Sequence, residues 1–212
     1  MKGQVEFFGS LQSPYCYFAL DRLDDLFRDF QIEILVRPVL PGVIRIPEVY
    51  RDRRPIEHEY FNRDVLRTAS YLNLPYSEPD PSPVNWESGS IWIARPEQSR
   101  IKRFYNIIWQ AHLKGKLYSF YGSLMRLIWS GQHPGWDNEG PIRDLLTSCE
   151  LPVGLADQPQ ELIPEAAEYF SDNQKAMYDS GHWGVPLFVF ENEPFYGQDR
   201  LDQLKWRVSR NR

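Results

Sequence analysis

The sequence predicts an α/β chain laid out as β-α-β, a long helical middle, then β-β-α. Strand-like apolar runs occur only near the two ends, helical periodicity fills the middle, and prolines crowd the joins between helices. The two ends together make one small four-stranded sheet with helices, and the middle is a large all-helical insertion between the second and third strands. With 212 residues the chain can bury the core of one domain carrying such an insertion. The predicted division is residues 1–40 with 181–212 as a discontinuous sheet domain, and 41–180 as the helical insertion.

"GQVEFF" before Gly9 reads as a short buried strand over residues 3–9. After Pro14, the apolar positions Cys16, Ala19, Leu20, Leu23, Leu26, Phe27 and Phe30 recur at helical spacing and form one face of an amphipathic helix. "IEILVRPV" alternates Ile32, Ile34 and Val36 before Pro38, which predicts a strand over 31–38. Two strands bridged by one helix imply a parallel pair with a right-handed crossover. From about Glu59 to Ser180 the period is helical, with Ile101, Phe104, Tyr105, Ile108 and His112 as one stripe and Phe120, Tyr121, Leu124 and Ile128 as another. "LPYSEPDPSPVNW" is a linker, since Pro75, Pro79, Pro81 and Pro83 cannot share a helix; "SGQHPGWDNEGP" is a second loop. "VPLFVFENEPFYG" predicts strands over 186–191 and 194–197 joined by a turn around Asn192, and "QDRLDQLKWRVSR" closes the chain with a helix.

Composition excludes several classes. Cys16 and Cys149 are too few and too far apart for a disulfide framework, and neither falls at metal-ligand spacing with His58, His112, His133 or His182, so no metal is expected. The first residues, "MKGQVEFFGSLQS", lack the roughly 7 to 15 apolar residues of a signal-peptide core, and no stretch approaches the roughly 20 of a membrane span. A cytoplasmic location is expected. The net charge of −5 argues against a nucleic-acid surface, which needs a concentrated basic face. Aromatic residues make up 15 % of the chain, seven of them tryptophan, enough to wall a flat cleft or simply to fill a core.

Chemistry concentrates in "SPYC", Ser13 to Cys16, where the first strand gives way to the first helix. Serine is a favoured N-cap and proline a favoured first helical residue, so "SP" has a purely structural reading. The same position has a functional one: a helix N-terminus carries unpaired N–H groups and partial positive charge, and a hydroxyl there can donate to an anion such as a thiolate. The second feature is "GHWGVPLFVF", where Pro186 follows Val185 at the start of the third strand and resembles the cis-proline of the thioredoxin fold, which lies against the active-site helix start.

"FFGSLQSPYCYFAL", "GVPLFVF" and "FYGQDRLDQL", together with "RPVLPG", "YFNRDVLRTASYLNLP" and "NQKAMYDSGHWGVP", resemble the 2-hydroxychromene-2-carboxylate isomerases and kappa-class glutathione transferases, within the wider group related to the disulfide oxidoreductase DsbA. The resemblance runs the length of the chain and implies a thioredoxin-like fold. It implies glutathione as cofactor, with Ser13 facing the glutathione sulfur in place of the nucleophilic cysteine of redox relatives. Cys16 takes the place of the resolving cysteine, and with serine at 13 no dithiol cycle can run there. Val185, before a cis Pro186, pairs its backbone with the cysteinyl part, while Gln198 and Asp199, at the start of the last helix, hold the γ-glutamyl end; capping of that helix is their structural alternative. Tyr15, Arg53 and Trp183 are candidates for the substrate cleft. Relatives place an asparagine and a lysine between the second strand and Tyr60. "VIRIPEVYRDRRPIEHE" contains neither, and Arg45, Arg51, Arg53 or Arg54 are the available cations.

The implied activity is glutathione-dependent cis–trans isomerisation of 2-hydroxychromene-2-carboxylate-like intermediates of aromatic breakdown, through a thiol adduct. The alternatives are a kappa-like transferase, which would consume glutathione, and a non-catalytic small-molecule binder. The expected partners are a small aromatic or electrophilic substrate and a second copy of the chain in a homodimer, with no nucleic acid and no membrane.

Overall fold

The computed structural model describes residues 3–90 and 92–210. In chain order the elements are β1 (Gln4–Gly9), α1 (Pro14–Phe30), β2 (Glu33–Pro38), α2 (Gly42–Arg45), α3 (Pro47–Arg51), α4 (Pro55–Tyr71), α5 (Ser99–Leu113), α6 (Leu117–Trp129), α7 (Glu139–Ser148), α8 (Pro164–Asp179), β3 (Leu187–Phe190), β4 (Glu193–Tyr196) and α9 (Leu201–Ser209), with short 3-10 turns at Val153–Asp157 and Gln198–Arg200. The chain divides into two compact units, one comprising the described part of Met1–Val39 and Glu168–Arg212, the other Leu40–Ala167.

The first unit holds a four-stranded sheet in the order β2-β1-β3-β4, with β1 parallel to β2 and antiparallel to β3, and β4 antiparallel to β3. Strand alternation sends its apolar residues to two faces. On one, Phe8, Val39, Leu187 and Val189 pack with Met177 of α8. On the other, Phe7 stacks on Phe188, its partner across the ladder, at 5.4 Å, and Arg207 of α9 lies 5.7 Å from the Phe190 ring. The β3–β4 turn is two residues long, Glu191 and Asn192, both left-handed at φ 52° and 65°, the backbone that matches strand twist in a tight hairpin.

Helix α1 buries Cys16, Ala19, Leu20, Leu23 and Leu26. Phe27, which the apolar spacing assigns to the same face, is instead 54 % exposed; it follows Leu26 directly, and one step around a helix turns by more than a quarter circle, off a narrow stripe. Gln31 closes the helix in the left-handed region at φ 55°, its N–H donating to Phe27 O.

The second boundary between the units falls near residue 167, not 180. From Glu168 onward α8 belongs with the sheet, where buried Asn173 donates from Nδ2 to the Pro38 carbonyl (3.0 Å) and Met177 enters the core. Helical periodicity runs unbroken through this point, so the sequence marks no boundary there.

The second unit is helical, and among the described residues its β pairing is confined to an isolated bridge, Trp86 to Ala94, outside the sheet. Helix α5 buries Ile101, Phe104, Tyr105, Ile107, Ile108 and Ala111; His112, predicted on this stripe, is exposed at the end of the helix. The proline-rich segment before α5 is fastened by polar side chains. Gln98 Nε2 donates to the carbonyls of Asn85 (2.8 Å) and Arg95 (2.7 Å), Arg100 Nη1 reaches Ser82 O and Asn85 Oδ1 (both 3.0 Å), and Trp136 Nε1 donates to Pro81 O (2.7 Å). These bonds satisfy carbonyls that no helix or strand can. No described helix is long and apolar enough to cross a membrane.

Asn106, fully buried in α5, donates from Nδ2 to Pro159 O (3.0 Å) and Glu161 O (2.8 Å) and accepts from Ile163 N (3.1 Å). Asn106→Leu keeps the volume and removes all of these bonds. It should lower the urea unfolding free energy by about 2–3 kcal/mol with an unchanged m-value; an unshifted midpoint would mean that water replaces the amide.

Candidate functional site

The site is built where β1 ends and α1 begins. After Gly9 the chain turns through Ser10 to Gln12, with Ser13 N–H donating to Ser10 O (3.2 Å), and Ser13 enters the helix in an extended conformation at φ −107°, ψ 109°. Ser13 Oγ accepts from Cys16 N–H at 3.3 Å, so the serine is the N-cap that its position before Pro14 predicts. Capping uses only a lone pair. Among the described residues the hydroxyl hydrogen has no acceptor, and Ser13 is half-buried, so its O–H remains able to donate to a ligand. The structural and functional readings of Ser13 are therefore compatible.

Cys16, on the third helical residue, has no exposed surface, and Cys149, also buried, belongs to the other unit. A thiol so placed reacts slowly, because solvent and oxidant cannot reach it. Tyr15 is half-buried in the first turn of α1, its ring edge-on to Phe18 at 6.1 Å.

The Val185–Pro186 peptide is cis. The Phe8–Leu187 register carries residue 186 to the end of β1 from which the chain turns to Ser13, and Pro186 O accepts from Gly197 N–H (2.9 Å). Val185 is half-buried, and among the described residues its backbone N–H and C=O make no hydrogen bond. A peptide group so placed can pair with an extended ligand backbone, as the edge of a sheet does.

Just before it, Gly184 N–H donates to His182 Nδ1 (2.8 Å), which requires a lone pair there and so places the ring proton on Nε2. Burial pushes the His182 pKa down. Its ring stacks on Tyr196 at 3.8 Å and on Trp183 at 5.8 Å. Gly184 is demanded by this stack, since a Cβ there would lie 2.5 Å from Tyr196 Cε2 and 3.0 Å from His182 Cε1. Trp183, a predicted cleft residue, is thus held at the approach to Pro186. Sequence reasoning missed His182 and Tyr196; the glycine between the tryptophan and the valine is the available signal.

Gln198 and Asp199 do not begin the last helix. They occupy the 3-10 turn after Gly197, which sits at φ 101°, and α9 starts at Leu201; neither side chain makes a capping bond. Gln198 Oε1 accepts from Arg22 of α1, which leaves its Nε2 hydrogens to donate. The Asp199 carboxylate folds back over Gly197 and pairs with Arg200 at 3.3 Å, both side chains largely in solvent. Arg53 belongs to the other unit, where it lies against Tyr50 and Trp92. Among the described residues no group of three or more His, Cys, Asp or Glu side chains is placed to hold a metal ion.

The model of the DSBA-like thioredoxin domain matches residues 4–209, nearly the entire chain. The chain belongs to that family. Its DSBA-like fold is shared with a solved 2-hydroxychromene-2-carboxylate isomerase at 18 % identity and a TM-score of 0.70, over 98 % of this chain and 95 % of the other. It is shared also with a Streptomyces coelicolor protein assigned as a DsbA oxidoreductase (14 %, TM-score 0.64, 99 % and 91 % covered). A third is a Nitrosomonas europaea protein assigned as a protein disulfide isomerase (12 %, TM-score 0.65, 100 % and 99 % covered). At such identities these likenesses concern the fold. Among curated proteins no sequence matches at a significant level. Within this family the DSBA-like chain is thioredoxin-like in its sheet unit, with a helical insertion between β2 and β3.

Gly184→Ala should force Tyr196 or His182 to move and destabilise the protein by about 1–3 kcal/mol, seen as a lower melting temperature. An unchanged melting curve would show that the stack yields freely.

Proposed function

We propose that this protein is a glutathione-dependent isomerase of planar, conjugated acids of the 2-hydroxychromene-2-carboxylate kind. The observation that carries the reading is the unused O–H of Ser13 at the N-terminus of α1, in a site whose one nearby thiol, Cys16, is sealed inside. Disulfide exchange through a dithiol needs a cysteine where Ser13 stands, so the thiol must come from outside the chain.

Four groups of the sheet unit are complementary to a γ-glutamyl-cysteinyl peptide, Asp199 by exchanging its exposed pairing with Arg200. Ser13 Oγ–H donates to a thiolate, the Val185 backbone pairs with the cysteinyl unit, Asp199 accepts from an ammonium, and Gln198 Nε2 donates to a carboxylate. Glutathione supplies a sulfur nucleophile that is returned at the end of a cis–trans isomerisation, so no reductant is consumed. The chain's part is to hold that sulfur ionised. Lowering a thiol pKa from about 8.5 to about 6.5 takes roughly 2.7 kcal/mol. A hydrogen bond to a charged group contributes about 1.5–3 kcal/mol and a helix N-terminus about 0.3–1 kcal/mol, which together suffice. The isomerase among the solved structures of this fold supports the reaction class.

Ser13→Ala should lower glutathione-dependent turnover of a conjugated hydroxy-acid substrate by one to three orders of magnitude, the range found when an anion-stabilising donor is removed, and cost the fold about 1 kcal/mol as a lost cap. Cys16→Ala should do the opposite, reducing stability modestly and leaving turnover nearly intact. A Cys16 variant that loses activity while the Ser13 variant keeps it would assign the chemistry to the cysteine. Stoichiometric consumption of glutathione would make the reaction a conjugation.

A further inference from the structure

We propose that Arg53, Tyr50 and Trp92 of the insertion unit form a box that binds the carboxylate of a planar conjugated acid. As a binding site the box is argued from this unit alone; as the place where substrate is held it rests on the isomerase reading above.

The Arg53 guanidinium carbon lies 4.9 Å from the Tyr50 ring centroid and 4.7 Å from that of Trp92, and the two rings stand 5.9 Å apart at 28°. The cation thus rests across two aromatic faces. His58 and Phe61 pack edge-on against Trp92 at 6.0 and 5.8 Å and hold its ring in place. Tyr50 is seated by Gly42, where any Cβ would come within 2.3 Å of its hydroxyl oxygen.

The side chains of Arg53, Tyr50 and Trp92 each carry an N–H or O–H for which no acceptor stands among the described residues, and that of Trp92 is buried. Arg53 is half-buried, its backbone N–H donates to Tyr50 O (3.2 Å), and among the described residues no carboxylate lies within ion-pair distance of its guanidinium and no atom accepts from that group. Asp52, next to it in sequence, forms no ion pair with it, and Glu57 is engaged by Arg54, from whose backbone N–H it accepts at 2.8 Å. Trp92 Nε1–H is buried with no partner, and the Tyr50 hydroxyl makes no hydrogen bond among the described residues. Burial raises the Tyr50 pKa, and the charges that act on it are both cations, Arg45 and Arg53.

A buried donor without an acceptor costs about 1–3 kcal/mol, and at Trp92 Nε1 a ligand acceptor would recover that cost. Its complement is rich in acceptors, anionic and flat. A carboxylate fits the guanidinium fork with two parallel hydrogen bonds, and a conjugated ring attached to it can lie on the exposed aromatic surface. A tetrahedral anion would use the charge but not the flat walls.

Calorimetric titration of the full-length protein with 1-naphthoate, and separately with the isosteric neutral 1-naphthamide and with inorganic phosphate, tests the assignment. No glutathione is added, so the result is independent of Ser13, and failure of the thiol reading would leave it standing. The naphthoate should bind at least about tenfold more tightly than either comparator. Arg53→Gln should weaken naphthoate roughly ten- to hundredfold, whereas Arg54→Gln, which removes the same charge one residue away, should change it by less than about twofold. Trp92→Phe keeps the ring and loses the N–H, and should weaken binding several-fold; it decides the matter if the Arg53 variant melts too early to titrate. Absence of binding up to about 10 mM, equal affinity for the amide or for phosphate, or an equal loss in the Arg53 and Arg54 variants would overturn the proposal.

Discussion

A helix cannot bond its own first-turn amides, and the sheet unit is arranged around where this chain leaves that end. β1 is paired on both sides, by β2 and by β3, so its apolar residues are enclosed and its direction is fixed. The chain leaving it must turn at its C-terminal end, and α1 therefore begins there. Because β3 runs antiparallel, its first residues, and the cis Val185–Pro186 peptide before them, come to the same end. Strand order thus brings to one end of the sheet the positive end of a 17-residue helix and the Val185 backbone, which makes no hydrogen bond among the described residues. What the sequence adds is the choice of serine at position 13, a residue that can cap the helix with its lone pair and still donate its proton.

That choice separates two chemistries available to one fold. With cysteines at both ends of the four-residue motif, the helix end stabilises the thiolate of a redox nucleophile. With serine first and a fully buried cysteine last, the proposed function has the same field act on a sulfur that arrives with a ligand. Neighbours of this fold assigned to disulfide chemistry and a neighbour that is an isomerase share the architecture, so the fold by itself does not choose between them.

Much of this was legible in the sequence because it depends on short-range pattern. The apolar run before Gly9, the alternation ended by Pro38 and the two-residue turn at Asn192 place the strands to within about two residues, and Ser13-Pro14 marks the helix start. What could not be read depends on contacts between distant residues. Asn106 interrupts an apolar helical stripe and looks like a defect until the carbonyls of Pro159 and Glu161 are seen against it. Periodicity in α8 continues past residue 167, yet Asn173 and Met177 attach its second half to the sheet. Gln198 and Asp199 read as the opening of a helix, but the backbone at Gly197 makes a tighter turn first. Arg53 was one of several arginines in a charged run, and only the rings of Tyr50 and Trp92 set it apart from Arg54, which is tied to Glu57.

The central claim is that Ser13 and the start of α1 hold an external thiol as its thiolate. The direct measurement is the ultraviolet absorbance of the glutathione thiolate, titrated against pH in the presence of saturating protein. A bound thiol pKa at least about one unit below its ordinary value near 8.5, returning most of the way in Ser13→Ala, is the predicted result. A bound thiol that titrates as it does free in solution, or a depressed value that the Ser13 variant retains, would contradict it.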